Sequence, residues 1–150
     1  MKFMVPVADP PRLFLDTSAL VAVFDKSDQW HKRAIAYWND QVLNAARRPK
    51  VVLSDYIIDE LATHIRSLGH ATAVQAVELI LDMIRSDAFQ LVRIDKGRFD
   101  EAWGIYKKYD DHDFSFTDCT SFVVCSEQGS TIAFAFDSHY QTYGILTAPR

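Results

Sequence analysis

Two kinds of apolar pattern alternate along the chain. Short apolar runs at 12–15, 50–54, 89–94 and 131–136 carry no helical period and are set apart by polar and turn residues, which predicts strands. A shorter run at 144–148 predicts a fifth. Between them the apolar residues recur every three to four positions. In 71–86, Val74, Val77, Leu81 and Ile84 make one stripe while Gln75, Glu78, Asp82 and Arg85 make another, so an amphipathic helix is expected with the first stripe on the core. Phe99, Ala102, Tyr106 and Tyr109 predict a second such helix, and Ile57, Leu61 and Ile65 a third. Segment 117–127 is apolar nearly all round until its last turn and is expected to be central and largely buried. This alternation is the pattern of an α/β fold built on a mostly parallel sheet.

Composition places the chain among ordinary folded proteins: 49% hydrophobic and 24% charged residues, with five glycines and five prolines in 150 residues. One domain is expected over 12–150, after an irregular proline-bearing arm at 1–11. No apolar run approaches the ~20 residues of a membrane span, and the N-terminus lacks the long apolar core of a signal peptide, so a cytoplasmic protein with no membrane contact is expected. Cys119 and Cys125 fit neither a C-x-x-C motif nor a one-turn pairing, and read as two buried free thiols. A net charge of −4 argues against a module that grips nucleic acid by phosphate neutralisation alone. It leaves room for an enzyme whose acids hold cations that themselves meet phosphate. The basic groups Arg47, Arg48 and Lys50, then Arg93, Lys96 and Arg98, then Lys107 and Lys108 each read as solvated surface.

Four acids fall where a parallel sheet gathers ligands, at the carboxyl ends of its strands. Asp16 follows the run 12–15, and Asp137 follows 131–136. Asp118 stands at the start of the buried helix, and Glu60 lies about 100° round its helix from Leu61. Each acid taken singly has a plainer reading. Asp16 and Asp137 suit helix caps, Asp118 suits a first helical turn capped by Ser115 or Thr117, and Glu60 suits a surface. Brought to about 5 Å of one another at an effective dielectric of about 20, each pair would repel by roughly 3 kcal/mol. Such a cluster either takes up protons or holds a divalent cation, and an all-oxygen set suits Mg²⁺ or Mn²⁺. A cation held that way, with positions left for water and phosphate, points to phosphodiester hydrolysis.

Other chemistries are less well served. The five histidines, His31, His64, His70, His112 and His139, show no zinc spacing. His64, one turn past Glu60, and His139, two residues past Asp137, read as surface or cap residues within reach of a substrate phosphate. Ser18 is not set in a nucleophile elbow, and no glycine-rich phosphate loop occurs. Trp30, Trp38, Trp103, Tyr37 and Tyr140 are candidates for stacking on unpaired bases. Trp38 and Trp103 read rather as core or dimer interface, and Tyr140 lies just past Asp137.

The stretches LFLDTSALVAVFD, LSDYIIDELATHI, FSFTDCTSFVVCSEQG and IAFAFDSHYQTYGI follow one another in the order and spacing of PIN-domain ribonucleases. From residue 12 onward the chain resembles the VapC-type toxins of prokaryotic toxin–antitoxin modules. The resemblance implies a three-layer α/β/α PIN-like fold with a central, mostly parallel sheet of four to five strands. It implies an Mg²⁺- or Mn²⁺-dependent endoribonuclease that cuts single-stranded or loop RNA and, as a toxin, inhibits translation or growth. Asp16, Glu60, Asp118 and Asp137 would be its catalytic, metal-binding acids. Thr17 or Ser18 would support them with a hydroxyl, with Asp113 as an auxiliary acid or loop cap and Tyr140 nearby. Asp59 adjoins Glu60, but the acid followed by Leu is the one that matches. A homodimer is implied, as is an antitoxin that thrusts a basic side chain among the acids and carries the only DNA contact. Two alternatives stay open: a free-standing PIN nuclease for RNA maturation or decay, and a non-catalytic binding module whose acids are caps.

Overall fold

The computed structural model describes residues 11–44, 46, 49–129 and 131–150. Arg47, Arg48 and the arm expected at 1–11, Pro11 excepted, lie outside the described residues. Five strands, β1 (Arg12–Leu15), β2 (Val51–Ser54), β3 (Phe89–Val92), β4 (Thr131–Phe134) and β5 (Leu146–Ala148), form one parallel sheet in the order β3-β2-β1-β4-β5. The α-helices among the described residues are α1 (Thr17–Phe24), α2 (His31–Tyr37), α3 (Asp55–Ile65), α4 (His70–Arg85), α5 (Lys96–Lys108), α6 (Phe116–Glu127) and α7 (His139–Tyr143).

Leu13, Phe14 and Leu15 of β1 and Val51 to Ser54 of β2 are buried on both faces, as a strand covered by helices on either side must be. The edge strands β3 and β5 expose Gln90 and Leu146. The predicted runs at 89–94 and 131–136 end two residues early as strands. Their neighbours stop first: Val92 pairs with Ser54, where β2 gives way to α3, and Phe134 pairs with Leu15, where β1 gives way to α1. The chain steps from β1 to β2 to β3 on one side, then returns to lay β4 and β5 on the other. Neighbouring connections therefore diverge at the carboxyl ends of β1 and β4, the place where such sheets open a crevice.

The buried helix is found as α6, with every residue from Asp118 to Cys125 buried. Phe122 stacks on Tyr143 at 4.2 Å and meets Tyr140 edge-on at 5.5 Å, which fixes the short α7 against α6. Cys119 and Cys125 are free and buried, and burial pushes both thiols up, Cys119 to about 11.

Two expected core faces are corrected. In α4 the buried residues are Ala73, Ala76 and Ile80, while Val74 is 46% exposed and Val77, Leu81 and Ile84 sit at the margin. Small alanines let α4 lie close on α3 and β3, and the larger residues one position on are turned outward. In α5 only Ala102 is buried. Phe99, Trp103 and Tyr106 are all more than 40% exposed and cluster around Phe116, whereas Trp38 is a core residue. The second basic group is largely paired with acids: Lys96 with Asp100 at 2.9 Å, and Arg98 with Asp95 and Glu127. Exposed pairs like these contribute little stability and leave little cationic surface.

Candidate active site

Asp16 leaves β1 in an extended conformation and caps α1, so its plain reading is correct as far as it goes. Its Oδ2 accepts from the Ser18 amide at 3.0 Å and from Ser18 Oγ, and its Oδ1 accepts from the Tyr140 hydroxyl at 2.6 Å. Ser18 Oγ also accepts from the Phe136 amide at 3.0 Å, tying the start of α1 to the chain leaving β4. Of the two supporting hydroxyls, Ser18 therefore bears on Asp16 directly. Asp16 is only 5% exposed. Burial raises its carboxyl from 3.8 to about 6, outweighing the hydrogen bonds from Ser18 and Tyr140 that pull it down, and the nearby Asp118 charge adds to the rise.

Tyr140 corrects an expectation: it is fully buried, packed on Phe14 and Phe122, and has no face for a base. What it gives the site is its hydroxyl, held firmly protonated by burial and by Asp16. Tyr140→Phe is expected to cost about 1.5–3 kcal/mol in urea unfolding at pH 7.5, because it removes a donor from a buried carboxylate. An unchanged unfolding midpoint would show that the bond contributes nothing.

Asp118 lies in the first turn of α6, which Ser115 caps. The two residues exchange hydrogen bonds, Asp118 N to Ser115 Oγ and Ser115 N to Asp118 Oδ2, each at 3.0 Å. Across the crevice His139 Nδ1 stands 2.7 Å from Asp118 Oδ2 and 3.3 Å from Asp137 Oδ1. The His139 amide donates to Asp137 Oδ1 at 2.8 Å. One ligand atom from each of Asp118, Asp137 and His139 lies within 4.8 Å of the other two. His139 is thus closer to the acids than its reading as a surface or cap residue allowed. The signal was its place two residues after the strand-end aspartate, at the start of a helix.

Ser54 launches α3 from the end of β2 by accepting from the Ile57 amide, and Ile57, Leu61 and Ile65 face the core as expected. That rotation sets Glu60 and His64 at the crevice and leaves Asp59 exposed. Asp113 lies apart from the four acids. Phe114 turns inward onto Phe122, so its neighbour Asp113 points to solvent and borders a separate depression with Trp103 and Tyr106.

The crevice encloses about 490 Å³. Asp16, Asp28, Glu60, Asp118 and Asp137 line it with His64 and His139, and no lysine or arginine does so among the described residues. Thr17 adds a hydroxyl oxygen that is buried without a hydrogen-bond partner among the described residues. Crowded carboxylates, an unpartnered hydroxyl and room for water make a donor set suited to a divalent cation with oxygen ligands.

Residues 13–146 match the family model described as PIN domain. The chain belongs to the PIN-domain family. This PIN domain is 29% identical over 135 residues to the 23S rRNA-specific endonuclease VapC20 of Mycobacterium tuberculosis, covering 89% of this chain and 95% of that one. It is similar to the crystal structure of VapC20, there described as a Sarcin-Ricin loop cleaving toxin, with a TM-score of 0.77, 27% identity and coverage of 89% and 96%. Two further structures share the fold. VapBC2 from Rickettsia felis, bound to a promoter DNA fragment, matches at TM-score 0.60 and 8% identity, covering 91% of this chain and 96% of that one. FitAcB from Neisseria gonorrhoeae matches at 0.57 and 14%, covering 90% and 95%. Among the described residues no helix is long and apolar enough to cross a membrane.

Proposed function

We propose that this PIN domain, acting as one unit over 12–150, is a divalent-metal-dependent endoribonuclease and the toxin of a toxin–antitoxin pair. The observation that carries the reading is the convergence of Asp16, Glu60, Asp118 and Asp137, from four separate segments, on one crevice without a lysine or arginine among its described lining residues. Kinship with an endonuclease and toxin adds support.

The four carboxylates would hold Mg²⁺ or Mn²⁺, directly or through water, and a cation bound there would acidify a water and offset charge on the phosphate. Asp16 is kept in place by Ser18 and Tyr140, and Asp118 by Ser115 and His139. One carboxylate takes the proton of the water that adds to phosphorus as an ester P–O bond breaks, and the leaving sugar oxygen picks up a proton from solvent. The substrate is single-stranded or loop RNA, and cutting it inhibits translation or growth. The protein is a homodimer, and an antitoxin inhibits it by setting a basic side chain among the acids. A guanidinium there would replace the cation's charge and satisfy the carboxylates, which accounts for inhibition.

The test is incubation of purified protein with 23S rRNA in Mg²⁺ or Mn²⁺. Discrete cleavage that stops in EDTA and returns on adding metal is expected. Full activity in EDTA, or none in either metal, would remove the reading.

A further inference from the structure

We propose that Trp30 and Phe136, with Arg33 beside them, form a stacking platform for one unpaired nucleobase flanking the phosphodiester held at the acids; this rests on the ribonuclease reading above. The two rings lie parallel, 5° apart in tilt with centroids at 5.4 Å. Both line the crevice, and Phe136 immediately precedes Asp137. Trp30 remains 36% exposed despite its size. One face of the indole lies against Phe136; the part still open to water beside a polar cavity is apolar surface that a base, as a flat group, matches.

The platform is held before any ligand arrives. Asp28 Oδ1 accepts from the Trp30 amide at 2.8 Å, and Asp28 O accepts from the His31 amide at 3.0 Å. His31 Nδ1 stands 2.7 Å from the carbonyl of Ala22 on α1. Phe136 is fixed through its amide to Ser18, the residue that also holds Asp16. Both rings are therefore referenced to the first acid of the crevice, and little ordering remains to be done on binding.

Charge explains why such a platform is needed. Acids line the crevice and the chain is net −4, so the phosphate backbone gains little affinity beyond what a cation gives. Stacking engages the uncharged part of the nucleotide. Arg33, its Cζ 5.6 Å from the Trp30 centroid and 5.9 Å from that of Phe136, brings positive charge to the same spot. A base inside a duplex has both faces covered, so the platform selects an unpaired one.

The experiment titrates fluorescein-labelled single-stranded RNA, in EDTA so that it stays uncut, into the full chain carrying Asp16→Asn, with and without Trp30→Ala or Trp30→Phe. Anisotropy is expected to show Trp30→Ala weakening binding by about 5- to 150-fold, the range for losing one stacked base, while Trp30→Phe keeps most of the affinity. RNA should quench tryptophan emission in the parent and quench it far less in Trp30→Phe. Against an abasic sugar-phosphate strand, the Trp30→Ala loss should vanish. Equal affinity for parent and Trp30→Ala, equal loss on the abasic strand, or no RNA binding by either protein would overturn the platform. So would a Trp30→Ala defect confined to a basic peptide, which would assign the surface to a protein partner. Binding does not depend on cleavage, so the two readings separate. RNA held through Trp30 but never cut by the unsubstituted protein removes the nuclease and keeps the platform. Cleavage with unaltered affinity in Trp30→Ala does the reverse.

Discussion

Asp16→Asn is expected to abolish RNA cleavage while leaving the metal-free protein at least as stable as the parent at pH 7.5. The substitution is a clean one because asparagine caps helices as well as aspartate does, so the start of α1 survives. What it removes is a charge. The folded protein raises the Asp16 carboxyl from 3.8 to about 6, chiefly by burying it, so ionising it at pH 7.5 without a cation costs about 3 kcal/mol. Losing that cost offsets the weaker hydrogen bonds that an amide accepts from Ser18 and Tyr140. Activity should fall by at least about 10²–10³-fold, as expected when a preorganised group that handles transition-state charge is lost. Cleavage of labelled RNA and urea unfolding in EDTA check the two halves. A variant that unfolds early would make Asp16 a structural cap alone, and one that still cuts at the parental rate would exclude it as a ligand.

Added Mn²⁺ is expected to stabilise the protein, and to do so more strongly at pH 7.5 than at pH 5. In the metal-free fold Asp16 binds a proton more tightly than in the unfolded chain, so stability falls as pH rises from about 4 to about 6 and then levels. A cation must displace that proton. At pH 5 the competition lowers apparent affinity by about tenfold, and above pH 7 it disappears. At 100 times its Kd the ion contributes about 2.7 kcal/mol, or roughly 5–10 °C in melting temperature for a chain of this size. Thermal melts across pH, with and without Mn²⁺, test this. A metal-induced shift that is absent at both pH values, or larger at pH 5, would contradict it.

The central strands were legible because a strand buried on both faces must be apolar throughout, as Leu13 to Leu15 and Val51 to Leu53 are. Their ends were less so, since a ladder stops where a neighbour stops, not where apolar residues run out. The four acids could be found because three follow strands or open a helix, and because the burial of Leu61 fixes which way Glu60 faces. The environment of Tyr140 and the pairing of Trp30 with Phe136 were hidden. Each depends on how α7 and the chain between α1 and α2 fold back over the sheet, which no local period encodes. The faces of α4 escape the pattern for another reason: alanine looks neutral in a pattern, yet it is what permits close packing.

The order of the strands carries a consequence for the protein's first moments. β1 is made early and lies at the centre of the sheet, but its partner on the crevice side, β4, begins at Thr131, paired with Arg12. Asp16 and Asp137 thus come from opposite ends of the sequence, and Ser18 and Phe136 join only when both are present. Synthesis runs from the N-terminus, so the crevice is among the last parts of the molecule to close. A half-made chain has its first acid and lacks its fourth. The full set of acids is therefore assembled only when the chain is nearly whole.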